Sequence, residues 1–272
     1  MIPRDYIDEW REYAPWVEDF QVEQDLVISR AIVELFADPL LGQLLAFRGG
    51  TALYKLYLTP PVRYSEDIDL VQFEPSRAGP LMERLRSVLE PWLGIARWKQ
   101  SQDRVTLVFR YQSEDAPVIR QRLKVEINTR EQFALLGFKK RPFSVNSRWF
   151  SGSSSITTFD LDELLATKLR ALYQRSKGRD LLDLAFGLDD ERSNSQRIAE
   201  TFRQYMHRED HPVTRAMFEQ NIDAKLRDRQ FIADTSALVR PAIEWHLPEA
   251  TEKVMSNLIS RLPGKPWRNT SN

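Results

Sequence analysis

Residues Phe47 to Leu70 read FRGGTALYKLYLTPPVRYSEDIDL, and they hold the residue types from which chemistry can be built. A Gly49-Gly50-Thr51 run opens the stretch, Asp67 and Asp69 close it at i and i+2, and Lys55 and Arg63 lie between. Glycine reaches backbone angles closed to other residues and lets an anion approach the main chain. Thr51 adds a hydroxyl donor, and Ala52 to Leu58 reads as a helix. A phosphate at the start of that helix meets free N–H groups and the favourable end of the dipole. On a strand, Asp67 and Asp69 share one face while Ile68 and Leu70 enter the core. Two carboxylates side by side repel unless a cation stands between them, and hard oxygen ligands suit Mg2+. Gly-Gly-Thr alone is a common turn, and Asp-x-Asp alone is often a solvated strand edge. Their order and separation together point to nucleotidyl transfer.

A third acid is available. Arg122 to Asn128 alternates, with Leu123, Val125 and Ile127 on one face and Lys124, Glu126 and Asn128 on the other. If this strand lies beside the Asp-Ile-Asp strand, Glu126 completes a metal cage. Such a cage can hold two ions about 3.5–4 Å apart for an in-line displacement. The alternative is that Glu126 pairs with Lys124 or with a charge on a neighbouring strand.

The second informative block is Thr157 to Leu184, TTFDLDELLATKLRALYQRSKGRDLLDL. Thr158 or Asp160 can cap a helix whose first turn holds Asp162 and Glu163. At about 100° per residue, Lys168 falls among Leu164, Leu165, Ala171 and Leu172, inside the apolar stripe. An ammonium there must snorkel or find an anion, either a triphosphate or a carboxylate such as Asp183. Arg175 falls on the same face, and Asp180 and Asp183 share a face if the helix resumes after Gly178.

Taken together, these residues resemble the AbiEii/AbiGii-type toxin nucleotidyltransferases, which include the MenT toxins, within the DNA polymerase β-like nucleotidyltransferase superfamily. The resemblance rests on Gly49-Gly50-Thr51, Lys55, Arg63, Ser65-x-Asp67-Ile68-Asp69-Leu70, Lys168, Arg175 and Arg179-Asp180-x-x-Asp183, and it spans roughly residues 45 to 190. It implies magnesium on Asp67 and Asp69, with Glu126 the candidate third ligand read from its strand, and a nucleoside triphosphate as substrate. It implies catalytic roles for Asp67, Asp69, Lys168 and Asp183. It implies nucleotide contacts from Gly49, Gly50, Thr51, Lys55, Arg63, Ser65, Arg175, Arg179 and Asp180. It further implies an RNA acceptor, a tRNA 3′ end above others, and a growth-inhibiting toxin restrained by an antitoxin in a type IV, abortive-infection-like system. The sequence departs from the wider superfamily in having Thr51 where serine is usual and a longer gap before Asp67. The same chemistry on a small molecule such as an aminoglycoside, or on a protein hydroxyl, stays open, as does a silent nucleotide-binding module.

The elements that must position these residues form an α+β fold: a polymerase β-like mixed sheet flanked by helices, followed by a helical domain. Residues 1–150 are expected to form the nucleotidyltransferase core with N-terminal helices. Residues 156–262 are expected to form a helical domain that contributes Lys, Arg and Asp, and 263–272 a frayed tail. Strands are expected near Asp67–Phe73, Ile95–Lys99, Val105–Tyr111, Leu123–Asn128 and Phe143–Val145, with Ser151 to Ser155 as the linker. Helices are expected over Pro80–Leu89, Ser193–Tyr205, Thr214–Leu226, Phe231–Arg240 and Ala250–Leu262.

In a chain of 272 residues, 42% hydrophobic residues suffice for a real core. With no cysteine and three histidines, disulfides, thiolate chemistry and a zinc site are set aside. No stretch approaches the roughly 18 apolar residues of a membrane span, so a cytoplasmic place without membrane contact is expected. A formal net charge of zero does not exclude nucleic acid, because basic residues need only cluster locally. Arg97–Lys99, Arg120–Lys124 and Lys139–Arg141 are such clusters, the last beside Phe138 and Phe143.

Overall fold

In the computed structural model, which describes residues 2–74, 78–114, 118–236 and 238–268, the chain falls into two units, Met1–Phe159 and Asp160–Asn272. The first contains α1 (Arg4–Trp10), α2 (Asp19–Ala37), α3 (Pro39–Leu44), β1 (Leu45–Arg48), α4 (Gly49–Leu56), β2 (Asp67–Gln72), α5 (Ala78–Leu93), β3 (Arg97–Ser101), β4 (Arg104–Gln112), β5 (Arg120–Asn128), β6 (Phe138–Asn146) and β7 (Ser151–Phe159). Among the described residues the strands form one seven-stranded sheet in the order β3-β4-β5-β2-β1-β7-β6. The β2–β5 and β1–β7 pairs are parallel; the other neighbours are antiparallel.

Register turns the alternation of the sequence into two chemically opposite faces. Phe47, Leu70, Ile127 and Val105 stand in one row across β1, β2, β5 and β4, and each is buried. This face meets α2, where Phe36 lies 6.4 Å from Phe47 between ring centroids. One residue along, Arg48, Asp69, Glu126 and Thr106 form the adjacent row, which by the strand period of two projects to the other side. Asp38 ends α2 and starts α3: its carboxylate accepts the N–H groups of Leu40 and Leu41 at 3.1 and 3.0 Å, with Pro39 in the first turn.

Two expectations for this unit change. Ser151 to Ser155 is not a linker but the first half of β7, paired with β6 from Asn146↔Ser151 to Phe138↔Phe159. The boundary between units accordingly falls after Phe159 rather than between 150 and 156. Serine and glycine carry no periodic apolar signal, and the ladder that orders them comes from β6, distant in composition and polar itself. The basic residues Lys139, Lys140 and Arg141 lie within that same β6 rather than before a short strand.

The second unit holds α6 (Leu161–Gln174), α7 (Gly178–Gly187), α8 (Ser195–Arg208), α9 (Arg215–Leu226), α10 (Arg229–Ser236) and α11 (Leu247–Asn257), then a 3-10 turn at Ile259–Arg261. Asp160 caps α6, accepting the Asp162 N–H at 3.1 Å. The acids of its first turn anchor α8: Asp162 accepts from Arg197 at 2.5 Å and Glu163 from the Tyr205 hydroxyl at 2.7 Å. The helix expected over Phe231–Arg240 is the shorter α10, beginning two residues earlier. The expected frayed tail is held as far as it is described, through Arg215 N–H to the Pro263 carbonyl at 2.8 Å and Trp267 N–H to Glu219 at 2.6 Å. Residues 269–272 lie outside the described residues.

The buried Lys225 ammonium on α9 donates to the carbonyls of Leu172 and Tyr173 at the end of α6. Burial lowers its pKa to about 8, against an opposing pull from Asp180. Between pH 8 and the ordinary lysine value of 10.5 the unfolded chain therefore binds more protons than the folded one. The Lys225 contribution to stability rises with pH across that window and is lost as pH falls through 8. In urea denaturation, wild type is expected to gain on Lys225→Met between pH 7 and pH 10. A gap that does not change with pH would refute this.

Candidate active site

The parallel register of β2 and β5 places Asp67 beside Lys124 and Asp69 beside Glu126. These four side chains form a block on the face away from α2. Lys124 Nζ lies 2.9 Å from Asp67 Oδ2 and 3.4 Å from Glu126 Oε2. Arg104 on β4 takes the other Glu126 oxygen, Oε1, at 3.1 Å. Burial opposes the Lys124 charge, but the Asp67 hydrogen bond and the charges of Asp67, Glu126 and Asp69 outweigh it and hold the ammonium above its ordinary pKa.

The glycines are tied to this block from behind. Gly49 has φ +80°, and a Cβ there would stand 2.4 Å from Asp69 Oδ2. A Cβ on Gly50 would stand 2.4 Å from Arg63 Nη2 and 3.4 Å from Ser65 Oγ. The turn thus lets the backbone touch both the second aspartate and the buried arginine. Arg63 donates to the Tyr64 carbonyl at 2.9 Å, and its guanidinium lies 5.2 Å from the centre of the Tyr54 ring.

Two side chains expected to contact phosphate have other partners. Thr51 is buried, and its hydroxyl donates to the Asp67 carbonyl at 2.5 Å. Since its single proton goes there, Ser65 Oγ is the donor in the 2.8 Å contact between the two hydroxyls. Thr51 thereby fastens the start of α4 to the start of β2. Lys55 points to α2, donating to Asp25 Oδ1 at 2.6 Å and Ser29 Oγ at 3.0 Å. Asp25 also accepts from the Trp10 indole at 2.9 Å. Thr51, Lys55, Arg63 and Ser65 line a cavity of about 130 Å3 walled by aromatic residues that include Trp16 and Tyr54. Among the described residues, that wall includes neither Asp67 nor Asp69.

Asp25, Arg48 and Arg104 were not singled out in the sequence. Asp25 and Ser29 had a signal, being polar residues four apart in a helix otherwise rich in apolar side chains. Arg48 pairs in register with Asp69 and reaches Glu131 at 3.0 Å.

The second block assembles within its own unit. Lys168 Nζ meets Asp183 Oδ2 at 2.7 Å and Asp180 Oδ1 at 3.4 Å. Arg175 grips Asp180 through two bonds of 2.7 and 2.8 Å. The carboxylate partner foreseen for Lys168 is therefore present, and Asp180 and Asp183 share a face as expected. Arg179 turns instead toward α10: its backbone N–H donates to Asp234 at 3.2 Å, and its guanidinium Nε lies 4.0 Å from the same carboxylate oxygen.

The donor set suits a divalent ion in kind: Asp67 and Asp69 are hard oxygen donors on one face, and a cation, the Lys124 ammonium, already bridges Asp67 and Glu126. Among the described residues, however, no three acids or histidines are gathered as a ready metal cluster, and both Glu126 oxygens have cationic partners. Glu126 as found follows the ion-pair alternative.

Comparison with known proteins bears on the whole chain. The profile of a family described as "Nucleotidyl transferase AbiEii toxin, Type IV TA system" matches residues 30–253. The structure is similar to MenT4, a nucleotidyltransferase toxin from Mycobacterium tuberculosis, with TM-score 0.67, 16% identity and coverage of 97% of this chain and 91% of that one. It is also similar to JHP933 from Helicobacter pylori, with TM-score 0.58, 22% identity and coverage of 90% and 93%. At these identities the likenesses establish the fold. A sequence search of curated proteins finds no match.

Gly49→Ala is expected to cost about 1–3 kcal/mol, the range for a non-glycine residue held at positive φ, and to push the Asp69 carboxylate aside. Chemical denaturation with an unchanged midpoint would refute the close approach. Lys168→Ala takes the ammonium from fully buried Asp183 while Asp180 keeps Arg175, and should cost about 3–5 kcal/mol. A variant as stable as wild type would show that the pair does not support the fold.

Proposed function

From the premise that this chain belongs to the AbiEii family of nucleotidyltransferase toxins of type IV toxin–antitoxin systems, we propose that it transfers a nucleoside monophosphate from a triphosphate to the 3′ end of a tRNA in the cytoplasm. The observation that carries the reading is the Gly49 backbone set against the Asp69 carboxylate. That contact joins a phosphate-binding turn to an acidic strand in one place.

In this reading, Asp67 and Asp69 hold Mg2+, which when bound neutralises charge on the phosphates. The first backbone N–H groups of α4, from Gly50 onward, face the β- and γ-phosphates, where a helix start favours an anion. A hydroxyl oxygen of the acceptor bonds to the α-phosphorus and gives up its proton. The bond from that phosphorus to the β-phosphate oxygen breaks, and pyrophosphate leaves. Donors fixed before reaction stabilise the charge that develops. Lys55 and Thr51 support the site through Asp25 and the Asp67 carbonyl rather than by touching phosphate. The resemblance implies catalytic roles for Lys168 and Asp183, which we carry into the proposal. A Lys168→Ala variant that folds but turns over slowly would support that role.

Two features support an RNA acceptor. The edge strand β3 exposes Trp98, which suits stacking on an unpaired base, while Arg97 and Lys99 alternate to the other face, where Lys99 continues the row of Thr106 and Glu126 and adds positive charge for phosphate. Arg120 and Arg122 add exposed positive charge on β5. The family implies an antitoxin as partner. Among the described residues no helix is long and apolar enough to cross a membrane.

The test is transfer of each of the four α-labelled triphosphates to total tRNA with Mg2+. Wild type should label tRNA, and Asp69→Asn should lose more than about a hundredfold in rate, beyond the upper end of what loss of a ligand's supporting partner costs. Label on a small molecule or on protein instead would overturn the RNA reading. Full activity in Asp69→Asn would overturn the metal assignment.

A further inference from the structure

We propose that Lys124 is a built-in counter-ion at the site of the divalent cation, so that a metal ion held by Asp67 and Asp69 binds in competition with the ammonium that Asp67 already holds. The inference rests on the reading that Asp67 and Asp69 hold a divalent ion, and it adds a regulatory element that the reading does not contain.

The geometry is specific. Lys124 stands directly across from Asp67 in the ladder, and Glu126 directly across from Asp69. Three acids and one base thus share a two-by-two patch. The ammonium touches one oxygen on each strand, at 2.9 Å on Asp67 and 3.4 Å on Glu126. A magnesium ion draws carboxylate oxygens to about 2.0–2.1 Å. An ion held by Asp67 and Asp69 would share the Asp67 carboxylate with Nζ, and two cations on one carboxylate repel. Glu126 has no easy way round this conflict. Its second oxygen is held by Arg104 at 3.1 Å, so turning the carboxylate to free one oxygen gives up a second ion pair.

Displacement is feasible because the site is half open. The Lys124 side chain is 31% exposed and that of Asp67 38%. A lysine stem is long and flexible, and its head is well hydrated. Exposed ion pairs of this kind contribute little net stability, so a strongly bound divalent ion can replace the ammonium. With the ion absent, the lysine neutralises Asp67 and shares Glu126 with Arg104 on the adjacent strands. Metal entry is then graded by an internal competitor, and a chain without metal does not carry an open acidic cluster.

The experiment uses the full chain and Mn2+ as probe, with free Mn2+ read by electron paramagnetic resonance. Lys124→Met should bind Mn2+ at least about tenfold more tightly than wild type, a difference of roughly 1.4 kcal/mol. Equal or weaker affinity in the variant, with binding retained in wild type, overturns the competitor while leaving the metal reading in place. Absence of Mn2+ binding in both proteins overturns both. A second readout needs no assay of function. Thermal unfolding in EDTA should show the variant less stable than wild type, and saturating Mg2+ should raise its midpoint more than that of wild type. An equal deficit with and without Mg2+ would mark Lys124 as structural only and overturn the proposal. Lys124→Gln, which keeps a donor near Asp67 without the charge, takes the place of Lys124→Met in both readouts if the latter does not fold.

Discussion

The parallel pairing of β2 with β5 is the constraint from which the rest of the first unit follows. Side chains that are register partners on adjacent strands stand close enough to interact strongly, and like charges there destabilise the sheet. Asp69 opposite Glu126 is such a pair, with Asp67 two residues away on the same face. A fold that keeps this arrangement needs positive charge at the same place. It is supplied from the strands themselves: Lys124 from β5, Arg104 from β4 and, at the end of the row, Arg48 from β1. Each lies on the acidic face because strand alternation puts it there, and none requires a loop to reach in.

The opposite side of the same strands explains why the register cannot slip. A shift of one residue would turn Ile68, Leu70, Val125 and Ile127 out of the core and bring the charged row into it. The glycine turn adds a second lock. Gly49 at positive φ carries the chain from β1 into α4 while touching Asp69, and Thr51 pins the new helix to the carbonyl of Asp67. The turn, the helix start and the acidic strand are therefore one mechanical unit. This explains why neither glycine can be treated only as space for a ligand.

Much of this was legible from residue order. Alternation in Asp67–Leu70 and in Leu123–Asn128 gave both strands and both faces, and the position of Lys168 within its leucines required an anion, which Asp183 and Asp180 supply. Other parts were hidden for physical reasons. β1 is four residues long, and its first three are all buried, so it shows no alternation. β7 begins as serine and glycine, a composition shared with linkers, and only pairing with β6 identifies it. Lys55 reads as a phosphate ligand because it lies near glycines in sequence. Its partner Asp25 is thirty residues away on α2, and that kind of proximity is a product of the fold.

Lys124 and Lys168 each bridge a pair of acids, but they differ in burial, and that difference decides what each can do. Lys168 is 9% exposed and faces carboxylates with no exposure at all. Its removal leaves charges that water cannot reach, so the pair behaves as a fixed part of the second unit. Lys124 makes contacts of similar length, yet both it and Asp67 are about a third exposed. Water screens the attraction and rehydrates the ammonium when it leaves, so the same chemistry becomes exchangeable. A lysine that can be exchanged among acids is useful only where another cation is to take its place. In the proposed reading the face of β2 and β5 is where a metal ion would enter, while the pair in the second unit ties α6 to α7.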